Sequence, residues 1–429
     1  MKYDPIPADL FIGNRARLAA LLPVGALAIV NAADIQPAGA DAGFPFRQNS
    51  DLFYLTGTDQ EETILLLFPG AKDEKRREIL FVRESSEHVA IWEGHKYSKK
   101  EATAVSGIKT VLWLSEFKQV MRDLAMEAST LFLNANEHLR ADVTVETRDD
   151  RFIARCRRDF PLHQFARLAP LLHALRVVKS QPEIDLLQRA CDITEAGFRR
   201  VCGFVKPGVN EYQIEAEFAH EFLMAGSRGF AYPPIIASGA GSCCLHYVAN
   251  DRVVEKGDIL LLDVAAEYAN YNADMTRTIP VDGRFTKRQR AVYDAVLRVM
   301  RGASDMLRPG TVIKEYQKEV GLMIQGELID LGLLTRKDVA AEDEDSPAYR
   351  KYFMHGTSHH LGLDVHDVAL PHAVVEGGHV YTVEPGIYVP DENLGIRLEN
   401  DILVGEDSNL DLMAGIPIEA EEVEDLMNL

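Results

Sequence analysis

The second half of the chain repeats one order of helices and strands, and this repeat constrains the fold more than any other feature. A helix opens with Ser180 and Glu183 in capping-box spacing and stops at the string "KPG". A second helix follows, and the same order returns around the string "RPG", with strand-like runs after each helix pair. We therefore expect two similar halves packed into one domain. The predicted helices run from Ser180 to the first stop and over 211–225, 287–307 and 313–331.

The N-terminal part alternates short apolar runs with helical stretches, which is typical of an α/β domain. It contains no glycine-rich phosphate loop and no obvious catalytic set. We predict an N-terminal α/β domain over 1–174 and a second, catalytic domain over 175–429. The expected strands of the first domain are 26–33, 63–70, 78–84 and 130–136, with a helical segment over 99–128.

The charge, the apolar runs and the cysteines of the chain exclude several classes of function. The 429 residues carry a formal charge of −20, which argues against nonspecific binding of nucleic acid. No apolar run is long enough for a membrane span, and the acidic start lacks the order of a secretion signal, so we expect a cytoplasmic protein. Five cysteines include no CxxC pair, and adjacent Cys243 and Cys244 are expected to be buried.

Acidic residues interrupt apolar strand-like runs in both halves of the second domain. Asp263 ends the run "ILLLD", and a turn near 268–270 would set Asp274 roughly opposite it. Glu384 interrupts "VYTVEPG", and Glu399 alternates with Arg397 on one strand face. Each acid taken alone is equally explained by a side chain that faces water or by a salt bridge at a sheet edge. Acids at core positions are expensive unless something compensates them.

Convergence of these four acids would require cations. Six like-charge pairs at ~4 Å would cost ~4 kcal/mol each at an effective dielectric near 20. Two divalent cations balance four carboxylates, and one histidine would complete an oxygen-rich set suited to manganese or a similar hard ion. Such a pair of metals lowers the pKa of water and supplies a hydroxide nucleophile. Histidines are dense nearby, since residues 352–367 hold four of the thirteen.

Several strings resemble the metallopeptidases of the aminopeptidase P and prolidase family. They are "SGAGSCCLHYVAND", "LLLDVAAEYANYNADMTRTIPVDGRFT", "MHGTSHHLGLDVHDV", "TVEPGIYV" and "GIRLENDILV", and the N-terminal "FRQNSDLFYLTG" is similar to the leading domain of aminopeptidase P. The resemblance covers nearly the whole chain. It implies a hydrolase with two metal ions and a C-terminal pita-bread domain, which is an internally duplicated α+β fold.

The resemblance also implies the metal ligands. They would be Asp263, Asp274, His359, Glu384 and Glu399, with Asp274 and Glu399 bridging the two ions. Glu384 would also carry a proton during the reaction.

Other residues would surround the metals without binding them. The resemblance implies that His246, His355 and His366 line the site and hydrogen-bond the substrate or shuttle protons, although each is also explained as a structural histidine. Arg397, and less strongly Tyr388, would steady a neighbouring group. His360 departs from the bulky aromatic residue of aminopeptidase P relatives, which affects the expected pocket shape. Trp92 would either reach a neighbouring subunit or pack in the core.

The resulting expectation is a cytoplasmic Xaa-Pro aminopeptidase that uses a hydroxide activated by two metal ions, with Mn²⁺ favoured. Its partners would be proline-containing peptides and further copies of itself, as a dimer or tetramer. The alternative is a prolidase, which cuts only X-Pro dipeptides. A metal-free binding module of the same fold is a further alternative, but all five ligand positions hold competent residues.

Overall fold

The computed structural model describes residues 2–141, 144–343, 346–369 and 374–429. The chain divides into two compact units, Asp4–Arg176 and a second unit built from Val177–Leu429 and the first residues. None of the helices in the described ranges combines the length and the apolar character that a bilayer crossing requires.

The first unit alternates helices and strands, as the apolar runs predict. Its elements are α1 (Ala8–Leu21), β1 (Ala26–Asn31), α2 (Ser50–Thr56), β2 (Ile64–Leu67), β3 (Glu78–Val82), α3 (Glu87–Glu93), α4 (Lys99–Ser106), β4 (Thr110–Trp113), α5 (Phe117–Ala125), β5 (Thr130–Leu133), α6 (Arg148–Asp159), β6 (Gln164–Arg167) and α7 (Ala169–Arg176).

One six-stranded sheet organises this unit, in the order β4-β3-β2-β1-β5-β6. Only β2 runs against its neighbours, so the other five strands share one direction. All six residues of the central strand β1 are buried, as expected for a strand covered on both faces. Side chains of α5 and α6 pack on one face around Leu27 and Ile29.

Two expectations for this unit are wrong. The segment 99–128 is not wholly helical, because Thr110–Trp113 forms the edge strand β4 and separates α4 from α5. Its β-branched and aromatic residues favour a strand. Trp92 is not a core residue, since it is 75% exposed on α3.

The second unit contains the predicted helix pairs and several small antiparallel sheets. Its elements are α8 (Gln181–Phe204), α9 (Glu211–Met224), β7 (Ile235–Ser238), β8 (Ile259–Asp263), β9 (Glu267–Tyr268), β10 (Tyr271–Asn272), β11 (Thr276–Pro280), α10 (Lys287–Met306), α11 (Ile313–Asp330), α12 (Arg336–Ala340), β12 (Val380–Val383), β13 (Gly386–Val389), β14 (Leu394–Arg397), β15 (Asn400–Leu403), β16 (Leu410–Asp411) and α13 (Ala420–Met427).

The two halves of this unit repeat each other in local geometry. Gly208 and Gly310 end the two Pro-Gly stops, and both adopt a φ of +95°, which glycine permits without strain. The N–H of Gly208 donates to the carbonyl of Val254 at 2.9 Å, and the N–H of Gly310 donates to the carbonyl of Val375 at 2.9 Å. This correspondence confirms the predicted internal duplication.

The halves meet along one seam. The N–H of Glu399, from the second half, donates to the carbonyl of Thr276, from the first, at 3.1 Å. Thr278 Oγ1 donates to the carbonyl of Arg397 at 3.0 Å. The buried guanidinium of Arg277 adds a bond of 2.7 Å to the carbonyl of Glu399. These bonds fix the strand ends that carry the acidic residues.

Candidate metal centre

A tight turn brings the two aspartates of the first half together. Ala269 and Asn270 form the turn with φ values of +51° and +70°, so the predicted turn position is confirmed. The register is shifted from the expectation, because β8 and β11 pair Asp263 with Thr276. Asp274 lies two residues before Thr276, in the segment that leads into β11.

Acids from both halves gather around one histidine. Asp274, His359 and Glu399 each present an oxygen or nitrogen atom, and these atoms all lie within 4.8 Å of one another. His359 Nε2 is 3.4 Å from Asp274 Oδ2 and 3.7 Å from Glu384 Oε1. Thr276 Oγ1 donates to Glu399 Oε2 at 2.7 Å and holds that carboxylate in place. The convergence inferred from the apolar runs is therefore present.

Asp263 joins this cluster through Arg397. Arg397 Nη2 donates to Asp263 Oδ2 at 2.6 Å, and its Nη1 donates to the hydroxyl of Tyr388 at 2.8 Å. The other carboxylate oxygen, Asp263 Oδ1, is buried and has no hydrogen-bond partner in the described part of the chain. Buried oxygen atoms normally accept a hydrogen bond, so a buried carboxylate oxygen without a donor is available to bind a metal ion.

The predicted strand over 395–404 is interrupted, because β14 ends at Arg397 and β15 begins at Asn400. Arg397 and Glu399 nevertheless point to the same side, as the alternation predicts. Arg397 Nε donates to Thr276 Oγ1 at 3.2 Å, and this same hydroxyl donates to Glu399.

The electrostatics of the cluster favour a bound cation. Burial raises the pKa of Glu384 to about 7, and it also raises the pKa of Asp263 above its usual range. Burial and the charges of Asp274 and Glu384 raise the pKa of Glu399 further. Burial opposes protonation of His359, but the bond to Asp274 and the charge of Glu384 outweigh it and raise the pKa to about 9. Without a cation these groups must hold protons, so a divalent ion fits the set.

Three further histidines border the cluster. His355 Nε2 is 2.8 Å from the Tyr388 hydroxyl, and its Nδ1 is 3.8 Å from Glu384 Oε2. Burial lowers the pKa of His355 to about 4, so its imidazole is neutral at physiological pH. The ring of His366 meets that of His359 edge-on, with centroids 4.4 Å apart.

His246 and His366 are both exposed. The roles of both histidines toward a substrate stay predictions.

His360 faces a different environment from His359. Its ring stacks on Tyr381 with centroids 4.1 Å apart and meets His379 at 5.1 Å. Adjacent residues of an extended segment point to opposite sides. His360 therefore packs beneath the loop, and His359 alone of the pair contacts the acids.

Sequence reasoning missed two neighbours of the cluster. Asp401 Oδ2 accepts from the N–H of Asp274 at 3.0 Å and from the thiol of Cys191 at 3.5 Å, in a fully buried position. Continuing the alternation of Arg397 and Glu399 by one step would have predicted it. Tyr232 accepts a bond of 3.4 Å from the N–H of Met275, and no sequence pattern marks it.

The expectation that Cys243 and Cys244 are buried is wrong. Cys244 is exposed and Cys243 is only partly buried, whereas the other three thiols are buried.

The fold and the cluster of acids around His359 are matched by a known class of metallopeptidases. The model of metallopeptidase family M24 matches residues 185–406, and the model of the aminopeptidase P N-terminal domain matches residues 11–132. The chain belongs to metallopeptidase family M24. This membership confirms the resemblance and the fold class predicted from the sequence motifs.

Individual relatives extend over the whole chain. The Xaa-Pro aminopeptidase of Escherichia coli (strain K12) is 35% identical over 430 residues, covering 97% of each chain. Two solved structures superpose closely. A putative aminopeptidase P from Bacillus anthracis has a TM-score of 0.91 at 32% identity, and zinc-substituted E. coli aminopeptidase P in complex with product has a TM-score of 0.87 at 34% identity. Each superposition covers 99% of this chain and 99% of the other chain.

Proposed function

We propose that this protein is an Xaa-Pro aminopeptidase, which removes the first residue of peptides that have proline second. The observation that carries the proposal is the gathering of buried acids from both halves around His359, beneath exposed histidines. The match of the first unit to the aminopeptidase P N-terminal domain favours an aminopeptidase over a dipeptidase. The proposal also agrees with the names of the full-length relatives.

We propose that the cluster holds two divalent ions, with manganese favoured. The ligands would be Asp263, Asp274, His359, Glu384 and Glu399. Four carboxylates balance two dications, and a set of mainly oxygen ligands suits a hard ion. The free Asp263 Oδ1 and the raised pKa values of the acids support this assignment. When bound, such ions activate water near neutral pH and polarise a carbonyl.

Glu384 is positioned to carry a proton. Its carboxylate lies 3.7 Å from His359 and 3.8 Å from His355, in a position to accept and return a proton. The nitrogen of the cleaved X-Pro bond leaves as the secondary amine of proline, and it must gain a proton to depart. We assign this delivery to Glu384.

The surrounding residues bind and orient the substrate. His355 is held by Tyr388, and Tyr388 is held in turn by Arg397, which also fixes Asp263. Together with the contact of 2.8 Å between His355 Nδ1 and the carbonyl of Gly356, this chain of contacts fixes the imidazole beside Glu384. His246 and His366 have exposed side chains, which a peptide or the developing oxyanion can reach.

The test compares an X-Pro-Y tripeptide with the X-Pro dipeptide that bears the same bond, with Mn²⁺ present and after treatment with chelator. We expect cleavage of the tripeptide, little cleavage of the dipeptide and loss of activity with chelator. Cleavage of the dipeptide alone would make the protein a prolidase. Absence of cleavage and of bound or activating metal would leave a binding module.

One variant isolates the role of the proton carrier. Glu384→Gln keeps an oxygen ligand but cannot carry a proton, so we expect retained metal and at least a hundredfold lower kcat, from the contribution of general acid–base groups. Near-normal turnover with metal still bound would rule the role out. The cytoplasmic location and the homo-oligomer stay predictions.

A further inference from the structure

A cavity of about 870 Å³ lies wholly within the first unit, at the edge where its parallel strands end. Its lining includes the last residue of β1, the segments that follow β1, β3 and β4, and the first residue of β2. Open α/β sheets bind ligands outside the carboxyl ends of their strands. The volume is in the range of small-molecule sites, about 300–1,000 Å³.

The acids in this lining are all paired. Arg151 Nη2 is 2.6 Å from Asp34 Oδ1, and Arg83 Nε is 3.2 Å from Glu62 Oε2. Glu61 accepts from Arg83 at 3.4 Å and also contacts a lysine outside the lining. The lining nevertheless carries five cations, Lys118 and four arginines, against these three acids, so its formal charge is +2.

Two cations of the lining are left over. Arg148 and Lys118 form no ion pair or hydrogen bond through their side chains within the described ranges. Arg148 is half-buried, and burial lowers the pKa of its guanidinium. The charges of Glu62, Asp34 and Asp149 offset part of this cost of burial, and a bound anion would offset more of it.

The lining also contains two aromatic rings and one unsatisfied polar atom. The rings of Phe117 and Phe152 both line the cavity, with centroids 6.1 Å apart. Asn31 is 2% exposed and donates to Asp149 at 2.8 Å, but its side-chain oxygen accepts from no donor in the described part of the chain. Cations and aromatic rings in one lining suit an amphipathic ligand.

We propose that this cavity binds a small organic oxyanion, a carboxylate or a phosphate monoester, that carries an apolar or aromatic body. Its charged end lies at Arg148 and Lys118, and its body packs on Phe117 and Phe152. The proposal is independent of the peptidase function, because no residue of the metal cluster takes part.

The test is calorimetric titration of the full-length protein in chelator, which removes metal ions that would bind anions elsewhere. The probes are phenyl phosphate, phenylacetate, inorganic phosphate and neutral benzamide. We expect saturable binding of at least one aromatic oxyanion, and weaker or no binding of inorganic phosphate and benzamide. Binding of phenyl phosphate alone, of phenylacetate alone or of both assigns the class of oxyanion.

Variants locate the binding. Arg148→Met and Lys118→Met should each weaken it, Arg148→Met by about tenfold or more, as expected for a charged hydrogen bond. The matched control is Lys109→Met, which removes an exposed lysine outside the lining. Lys118 is itself exposed, so its variant should fold, and tryptophan fluorescence checks the folding of Arg148→Met.

The proposal is overturned if neither aromatic oxyanion binds, or if folded Arg148→Met and Lys118→Met bind like the wild type. Equal weakening by Lys109→Met, or equal affinity for inorganic phosphate and phenyl phosphate, also overturns it.

Discussion

A fully buried ion pair anchors the loop that carries the histidines of the metal centre. Lys179 Nζ lies 2.9 Å from Asp367 Oδ2, and both side chains are 1% exposed. The N–H of Asp367 donates to the carbonyl of His360 at 2.9 Å. A side chain on Gly362 would have its Cβ 2.3 Å from Asp367 Oδ2, so the loop packs tightly on the pair.

Replacing one partner should therefore be costly. At 2.9 Å the attraction is about 6 kcal/mol with an effective dielectric near 20, although desolvation offsets much of it. Removing one charge leaves the other buried and unpaired, which costs about 3–5 kcal/mol. For a unit of about 250 residues this lowers Tm by roughly 10 °C. We expect this shift for Lys179→Met, together with a lower kcat, because His366 lies on the loosened loop.

Calorimetry of single and double variants measures the effect. In the double variant Lys179→Met/Asp367→Asn no charge is stranded, so its loss should be well below the sum of the single losses. The matched control is Arg298→Met, which removes an exposed ion pair with Glu327 and should cost at most about 1 kcal/mol. A loss under 1 kcal/mol for Lys179→Met, or additive single losses, would refute the reasoning.

Two further predictions concern pH and metal. Burial raises the pKa of Asp149 to about 7 from 3.8, so the folded chain holds one extra proton between these values, and stability falls by about 2–4 kcal/mol as pH rises through this window. In Asp149→Asn, the free energy of unfolding should depend less on pH over this window. Urea titrations followed by tryptophan fluorescence measure it for the first unit, because Trp92 and Trp113 both lie there. An unchanged dependence on pH would contradict the assignment. Chelation should lower the calorimetric Tm of the second unit, where acids lose their cations, and leave the fluorescence transition unchanged; an unaltered calorimetric trace would count against the metal cluster.

Sequence patterns predicted those features in which a residue differs clearly from its neighbours along the chain or in which a short string recurs. Asp263 and Glu384 stand out because they interrupt apolar runs, and the two Pro-Gly stops stand out because they recur. The strand at Thr110–Trp113 escaped notice because it is short, partly buried and paired on one side only.

Other features depend on contacts that no local pattern encodes. The pairing of Asp263 with Thr276 follows from the register set by the whole turn segment. The exposure of Cys244 and the packing of His360 on Tyr381 also result from tertiary structure. The cation-lined cavity is assembled from separate segments, so its unbalanced charge exists only after folding.

The division of the cluster between the two halves has a consequence for its origin. Asp263 and Asp274 come from the first half, whereas His359, Glu384 and Glu399 come from the second. A lone ancestral half would offer only two or three of these groups to an ion. Before the two halves were joined in one polypeptide, two separate copies would have had to associate face to face to complete the ligand set. Binding of the metal ions would have stabilised that dimer.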